Sequence, residues 1–246
     1  MKIIKFIDQK WKKKLKNEGS IRIGTFDYYK KIENEKIKDE NDGGARIVYK
    51  GKKIITEEDN NLFFNDNIQL ANGWTIETND CSLIGEPSKF NTFIFCCSII
   101  KPEDDISKVK KTLGYDDYYQ ITNTNLFIKQ IGSALLSQTY DYLIKNPGKI
   151  DSNLDLFKHL KICCVCQPII YSKEPKYNII TEVNLENLNP KTINLDDFFT
   201  KDISYSENLE YRFVWIVFLE DIGNLITLPF EYLDLKELNL LKHISI

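Results

Sequence analysis

The chain is poor in arginine, methionine, histidine and proline: of 33 basic residues three are arginine, and its 246 positions hold one methionine, two histidines and seven prolines. No apolar run approaches the roughly 18 residues a membrane-spanning helix needs. The N-terminus MKIIKFIDQKWKKKLK has neither the apolar core nor the small-residue cleavage site of a signal peptide, so a cytoplasmic protein with no membrane contact is expected. Cys81, Cys96, Cys97, Cys163, Cys164 and Cys166 form no C-x-x-C pair, and His159 and His243 stand in no zinc-like spacing with them. No metal site is expected. Cys96-Cys97 and Cys163-Cys164-Val165-Cys166 lie in strand-like runs, where a reduced thiol acts as a small buried hydrophobe. Both histidines sit in helix-like segments without an orienting partner, which argues against a Cys/His nucleophile. A net charge of −3 argues against broad electrostatic capture of nucleic acid and leaves a local basic patch open.

What is present is ordinary for a globular protein, at 42% hydrophobic and 28% charged residues. The excess of Lys, Asn and Ile points to an AT-rich coding sequence, so Arg22, Arg46 and Arg212 hint at positions that need a planar, two-pronged donor. The strongest stretch is Glu210 to Leu219, rich in β-branched and aromatic residues and free of Gly and Pro. Its period of two puts Tyr211, Phe213, Trp215, Val217 and Leu219 on one face and Glu210, Arg212, Val214, Ile216 and Phe218 on the other. Both faces are apolar beyond Arg212, which predicts a central strand with Glu210 and Arg212 as a charged pair at its entrance. Such a pair is either a satisfied ion pair or part of a site.

Elsewhere the pattern predicts a strand over Lys2 to Ile7 and a helix over Gln9 to Glu18, with Trp11 and Leu15 on its inner face, the lysines solvated, and Gly19 as its stop. A strand follows over Ser20 to Tyr29, putting Ser20, Arg22, Gly24, Phe26 and Tyr28 on one face. A solvated loop holds Asp39, Glu40 and Asp42, without the register of a calcium loop. A hairpin is expected across Lys50-Gly51-Lys52, then loops and short strands to Pro87 with Trp74 as an anchor. Next come a central strand over Thr92 to Ile100, a helix over Ile106 to Leu113, a strand over Tyr115 to Thr122, and the clearest helix over Asn125 to Lys145. Strands over Ile162 to Tyr171 and Tyr177 to Val183 and a closing helix over Leu235 to Ile244 complete the reading. With no repeat, low-complexity linker or shift in composition, one α+β domain spanning residues 1–246 is expected, with a mixed, mostly antiparallel central sheet flanked by helices.

Three segments together resemble a bacterial family of unassigned function, related to the DUF2971 group and often met beside phage-defence genes. They are Gly19 to Tyr29 with Glu33 and the Asp39 to Gly44 loop, then Phe95-Cys96-Cys97-Ser98, and finally Ile170-Tyr171, Phe199-Thr200-Lys201, Tyr205 and Glu207 to Val214. Lys30 and Asn208 depart from that family's usual Arg and acidic residue. The order of strand, helix ending in Gly, strand with Tyr, and a late strand carrying Glu is also similar to ADP-ribosyltransferases. That resemblance implies NAD as substrate, Glu210 as the catalytic carboxylate with Tyr28, and Arg22, Arg212 and Tyr29 as NAD-binding residues. In such chemistry a carboxylate stabilises an oxocarbenium-like transition state and holds the ribose 2′-hydroxyl. Lys5 or Phe6 stands where such enzymes carry His or Arg on the first strand.

The function so implied is an ADP-ribosyltransferase-like effector or toxin of anti-phage defence. It would act on a nucleic acid or protein target, with an antitoxin or another defence-system protein as partner. The alternative is a non-catalytic nucleotide- or partner-sensing protein. A metal-dependent nuclease using Asp39, Glu40 and Asp42 is the third reading.

Overall fold

The strand from Glu210 to Leu219 forms as expected, and it is held along both edges. In the computed structural model this strand, β13, runs antiparallel between β7 (Thr92–Ile100) and β9 (Leu160–Pro168). The structure describes residues 1–32, 45–49, 52–55, 76–79, 82–85, 92–102, 104–147, 155–173, 177–180, 198–219, 228–236 and 242–245. From β7 the main sheet continues through β1 (Lys2–Ile7) and β8 (Asp117–Ile121) to β15 (Ile244–Ser245), and through β2 (Ile21–Thr25) to β14 (Tyr232–Leu235). Its pairings among the described residues are antiparallel. Parallel pairing joins β10 (Ile170–Ser172) to β12 (Thr200–Asp202) and β11 (Tyr177–Ile180) to β3 (Ala45–Tyr49), outside that sheet.

Helices cover the sheet because their apolar stripes need a partner. The helix α1 (Gln9–Glu18) ends on Gly19 at φ 59°, where glycine alone carries no Cβ penalty, and the Gly19 amide donates to the Leu15 carbonyl. Beyond it lie α2 (Phe26–Ile32) and α3 (Ile106–Leu113), and then α4 (Thr124–Lys145), capped by the Asn123 side chain accepting from the Leu126 amide. Along α4, Phe127, Ile131, Leu135 and Leu143 are almost wholly buried. With Phe95, Phe213 and Trp215 they form the main core on one face of the sheet. On the other face, Phe26, Ile94, Phe198, Phe199, Val214 and Ile216 form a second cluster. Full burial of each such large side chain stabilises by roughly 1.5–3 kcal/mol, which makes β13 the most heavily committed strand.

Four expectations are corrected. The strand beginning near Ser20 ends at Thr25, not Tyr29, because the Thr25 hydroxyl accepts from the Tyr28 amide at 3.3 Å and caps α2 despite the strand propensity of its aromatics. Trp11 is 39% exposed, so Leu15 alone is buried along α1. The expected hairpin strands do not pair with each other among the described residues: β3 pairs with β6 (Ser82–Gly85), while β4 (Lys52–Ile55) pairs with β5 (Ile76–Asn79). The closing helix is not the structure at either end of its span, since Leu235 ends β14 and Ile244 begins β15. Trp74 and the Asp39-Glu40-Asp42 loop lie outside the described residues. No helix among the described residues is long and apolar enough to cross a membrane.

Candidate functional site

The sheet has a seam. Ser98 pairs with Glu210 of β13 on one edge of β7 and with Ile4 of β1 on the other, while Ile94 pairs with Val214 and with Gly24 of β2 in the same way. The strands β1 and β2 therefore share one edge of β7 and diverge, and among the described residues neither of them pairs with Phe95 to Cys97. A strand edge stripped of its ladder must satisfy its polar groups otherwise. Here the Lys5 ammonium donates to the Cys96 carbonyl at 2.8 Å and lies 4.7 Å from the centre of the Phe95 ring.

A cavity of about 440 Å³ occupies the seam. Phe95 and Cys97 point to one face of β7, Cys96 and Ser98 to the other, and all four line it. Residues from both faces of β7 thus contribute to its wall. Its charged walls are Lys5, Lys14, Arg22 and Lys201 against Asp8, Glu210 and Asp234.

Glu210, Arg22, Tyr28 and Tyr29 all line this cavity, although some 180 residues separate the first from the rest. Arg212 does not. It lies beneath Glu210, 1% exposed, where Nε donates to Glu210 Oε1 at 2.7 Å, one terminal nitrogen donates to the Phe198 carbonyl at 2.7 Å, and the guanidinium sits 5.4 Å from the Phe26 ring centre. Lys201, itself 3% exposed, takes the other carboxylate oxygen at 2.9 Å. Glu210 is thus an anion held by two buried cations, its backbone amide donating to the Tyr171 hydroxyl at 2.8 Å. The entrance to the strand is strained: Leu209 has φ 48°, which costs a branched residue roughly 1–2 kcal/mol and turns the chain from the 3-10 segment Ile203–Asn208 into β13.

Arg22 is equally engaged. It meets Asp234 in a two-pronged pair at 2.7 and 2.8 Å and donates to the Tyr28 hydroxyl at 3.0 Å, with the Tyr232 ring centre 4.0 Å away. The hydrogen bonds from Arg22 hold the Asp234 carboxyl below its usual range. Arg46 lies in β3, outside the main sheet.

Gly24 lets the two tyrosines approach. A Cβ there would stand 2.4 Å from Tyr28 Cδ1 and 2.8 Å from Tyr29 Cε2. We expect Gly24→Ala to destabilise the protein by about 1–3 kcal/mol through overpacking. A loss of the same size in chemical denaturation, accompanied by altered tyrosine near-UV dichroism, checks this; an unchanged spectrum would refute the account of the wall.

Two further residues emerge only from the structure. Lys201 belongs to the third motif, but nothing in its spacing marks it as a partner of Glu210. Tyr119 lines the cavity at 1% exposure and its hydroxyl has no hydrogen-bond partner among the described residues. It faces Lys5 across the β1–β8 pairing. A buried hydroxyl without a partner costs free energy that a ligand can recover. Cys97, also in the wall, is pushed up to about 12 by burial, so it stays a thiol near neutral pH. Among the described residues no cluster of three or more His, Cys, Asp or Glu side chains is placed to hold a metal ion. No protein-family model, curated protein or solved structure matches the chain.

Proposed function

We propose that the seam cavity binds NAD and that the protein is an ADP-ribosyltransferase-like effector of bacterial anti-phage defence. The observation that carries the reading is the convergence of Glu210, Tyr28, Tyr29 and Arg22 on one cavity. The tyrosine rings offer flat apolar surface for nicotinamide. Lys5, Lys201 and the unpartnered Tyr119 hydroxyl are donors for phosphate and ribose oxygens.

In the reaction, the bond between ribose C1′ and the nicotinamide nitrogen breaks. Its electron pair passes to the ring nitrogen, which becomes neutral. An oxygen or nitrogen of the acceptor bonds to C1′ and releases its proton to water. The Glu210 carboxylate stabilises the positive charge that develops on the ribose. Arg212, outside the cavity, positions that carboxylate rather than touching NAD, and Arg22 builds the wall that carries Tyr28.

A second reading is favoured by one observation: both oxygens of Glu210 are already engaged, by Arg212 and Lys201. The cavity then binds a nucleotide without reaction, as a sensor. Incubation with NAD labelled in its adenylate part, together with nucleic acid and protein acceptors, separates the two. Label transferred to an acceptor with release of nicotinamide is expected. Thermal stabilisation by NAD without transfer would favour the sensor, and no stabilisation at millimolar excess would refute both.

A further inference from the structure

We infer that α1 is a docking surface for single-stranded nucleic acid at the mouth of the seam cavity. Helix α1 holds Lys10, Lys12, Lys13, Lys14 and Lys16 among ten residues, with Glu18 as its one acidic side chain, in a chain whose net charge is −3. Pairing with Asp117 at 2.8 Å occupies Lys12, whereas Lys10, Lys13 and Lys16 are exposed. Such a local excess of cations on an acidic protein attracts a polyanion.

The ring among these cations narrows the class of partner. Trp11 is 39% exposed and lines the cavity. Lys10, Lys14 and Arg22 place their charges 5.5, 5.6 and 5.4 Å from its ring. A partly exposed ring with cations over it suits a base that takes the place of the lysine ammonium groups on the indole while its phosphates meet them. Only an unstacked base presents a free face, which favours a single strand over a duplex. An acidic protein segment would use the lysines but would not need the ring.

As the acceptor of ADP-ribose this partner rests on the transferase reading above; the docking itself is measured without NAD. Anisotropy of a labelled short oligothymidylate should report salt-sensitive binding, stronger than for a duplex of equal length. Trp11→Ala should weaken it roughly five- to hundredfold, with Trp11→Phe restoring most of the loss. The exposed changes Lys13→Glu and Lys16→Glu should lower affinity and flatten the salt dependence by about 0.7 in log–log slope for each phosphate no longer neutralised. Absence of binding at low salt, equal binding by Trp11→Ala, or equal capture of the duplex or of an oligoglutamate peptide would overturn the inference. Thermal stabilisation by NAD is read separately. If NAD stabilises and the oligonucleotide does not bind, the docking surface alone is refuted; if the oligonucleotide binds and NAD does not stabilise, the readings that need NAD in the cavity fall and the docking surface stands.

Discussion

Arg212→Met is expected to destabilise the protein by about 3 kcal/mol, the low end of the range for breaking a buried ion pair. Methionine fills much of the space beside Phe26 but supplies none of the donors that now meet Glu210 Oε1 and the Phe198 carbonyl. Leaving a buried carboxylate short of one partner costs more than the intact pair contributes. The low end applies because Lys201 remains on the second oxygen. Arg212→Lys should recover only part of the loss, since an ammonium lacks the planar fork that reaches two acceptors at once. The triple change Lys201→Met, Glu210→Leu, Arg212→Met should be far milder than Arg212→Met alone, because no buried charge is left uncompensated. Urea midpoints at unchanged slope measure all three. A triple variant less stable than Arg212→Met would refute the account of Glu210 as a carboxylate held by two cations.

The elements that carry the core are the ones a periodicity argument reads well. The strands β7 and β13 are unbroken apolar runs, and α4 repeats its large apolar residues at helical spacing over 22 residues. Tertiary packing therefore reinforces the local preference. At α2 a single hydroxyl cap from Thr25 outweighs the strand propensity of Phe26, Tyr28 and Tyr29. Tyr28 nonetheless meets Arg22, because one turn of helix brings the ring back over the end of β2 where Gly24 leaves room. Trp11 misleads for a related reason: an aromatic residue four before Leu15 looks internal, yet Leu15 is the only residue α1 buries.

The seam itself has no local signature. It arises because β1 and β2, joined through α1, both pair with the same edge of a strand some 70 residues further on. Neither hydrophobic pattern nor turn chemistry encodes that choice of partner, and the register of the pairings fixes where the edge is left open. Tyr119 is silent in the sequence for the same reason, and Lys201, although it stands in a resembling motif, carries no mark of its partner. One is an ordinary strand aromatic and the other an ordinary lysine until the seam and the Glu210 carboxylate give them a place.

Glu210→Gln decides what the carboxylate does. If it stabilises the charge that develops on ribose, the amide should lower the rate of ADP-ribose transfer by roughly 10²–10³, the scale set by removal of one aimed electrostatic group. NAD should still raise the melting temperature of the variant by a similar amount, since the tyrosine wall, Lys5 and Tyr119 are untouched. The same change leaves Arg212 and Lys201 facing an amide instead of an anion, so a loss of stability is expected in either case and cannot by itself discriminate. The rate must therefore be taken at saturating NAD, well below the temperature at which the variant begins to unfold. A folded Glu210→Gln protein that transfers ADP-ribose at the parental rate would reduce Glu210 to a member of the ion cluster under the seam. Loss of transfer with NAD stabilisation retained would assign it the chemistry, because an ion pair that only supports the fold has no reason to act on turnover and spare binding.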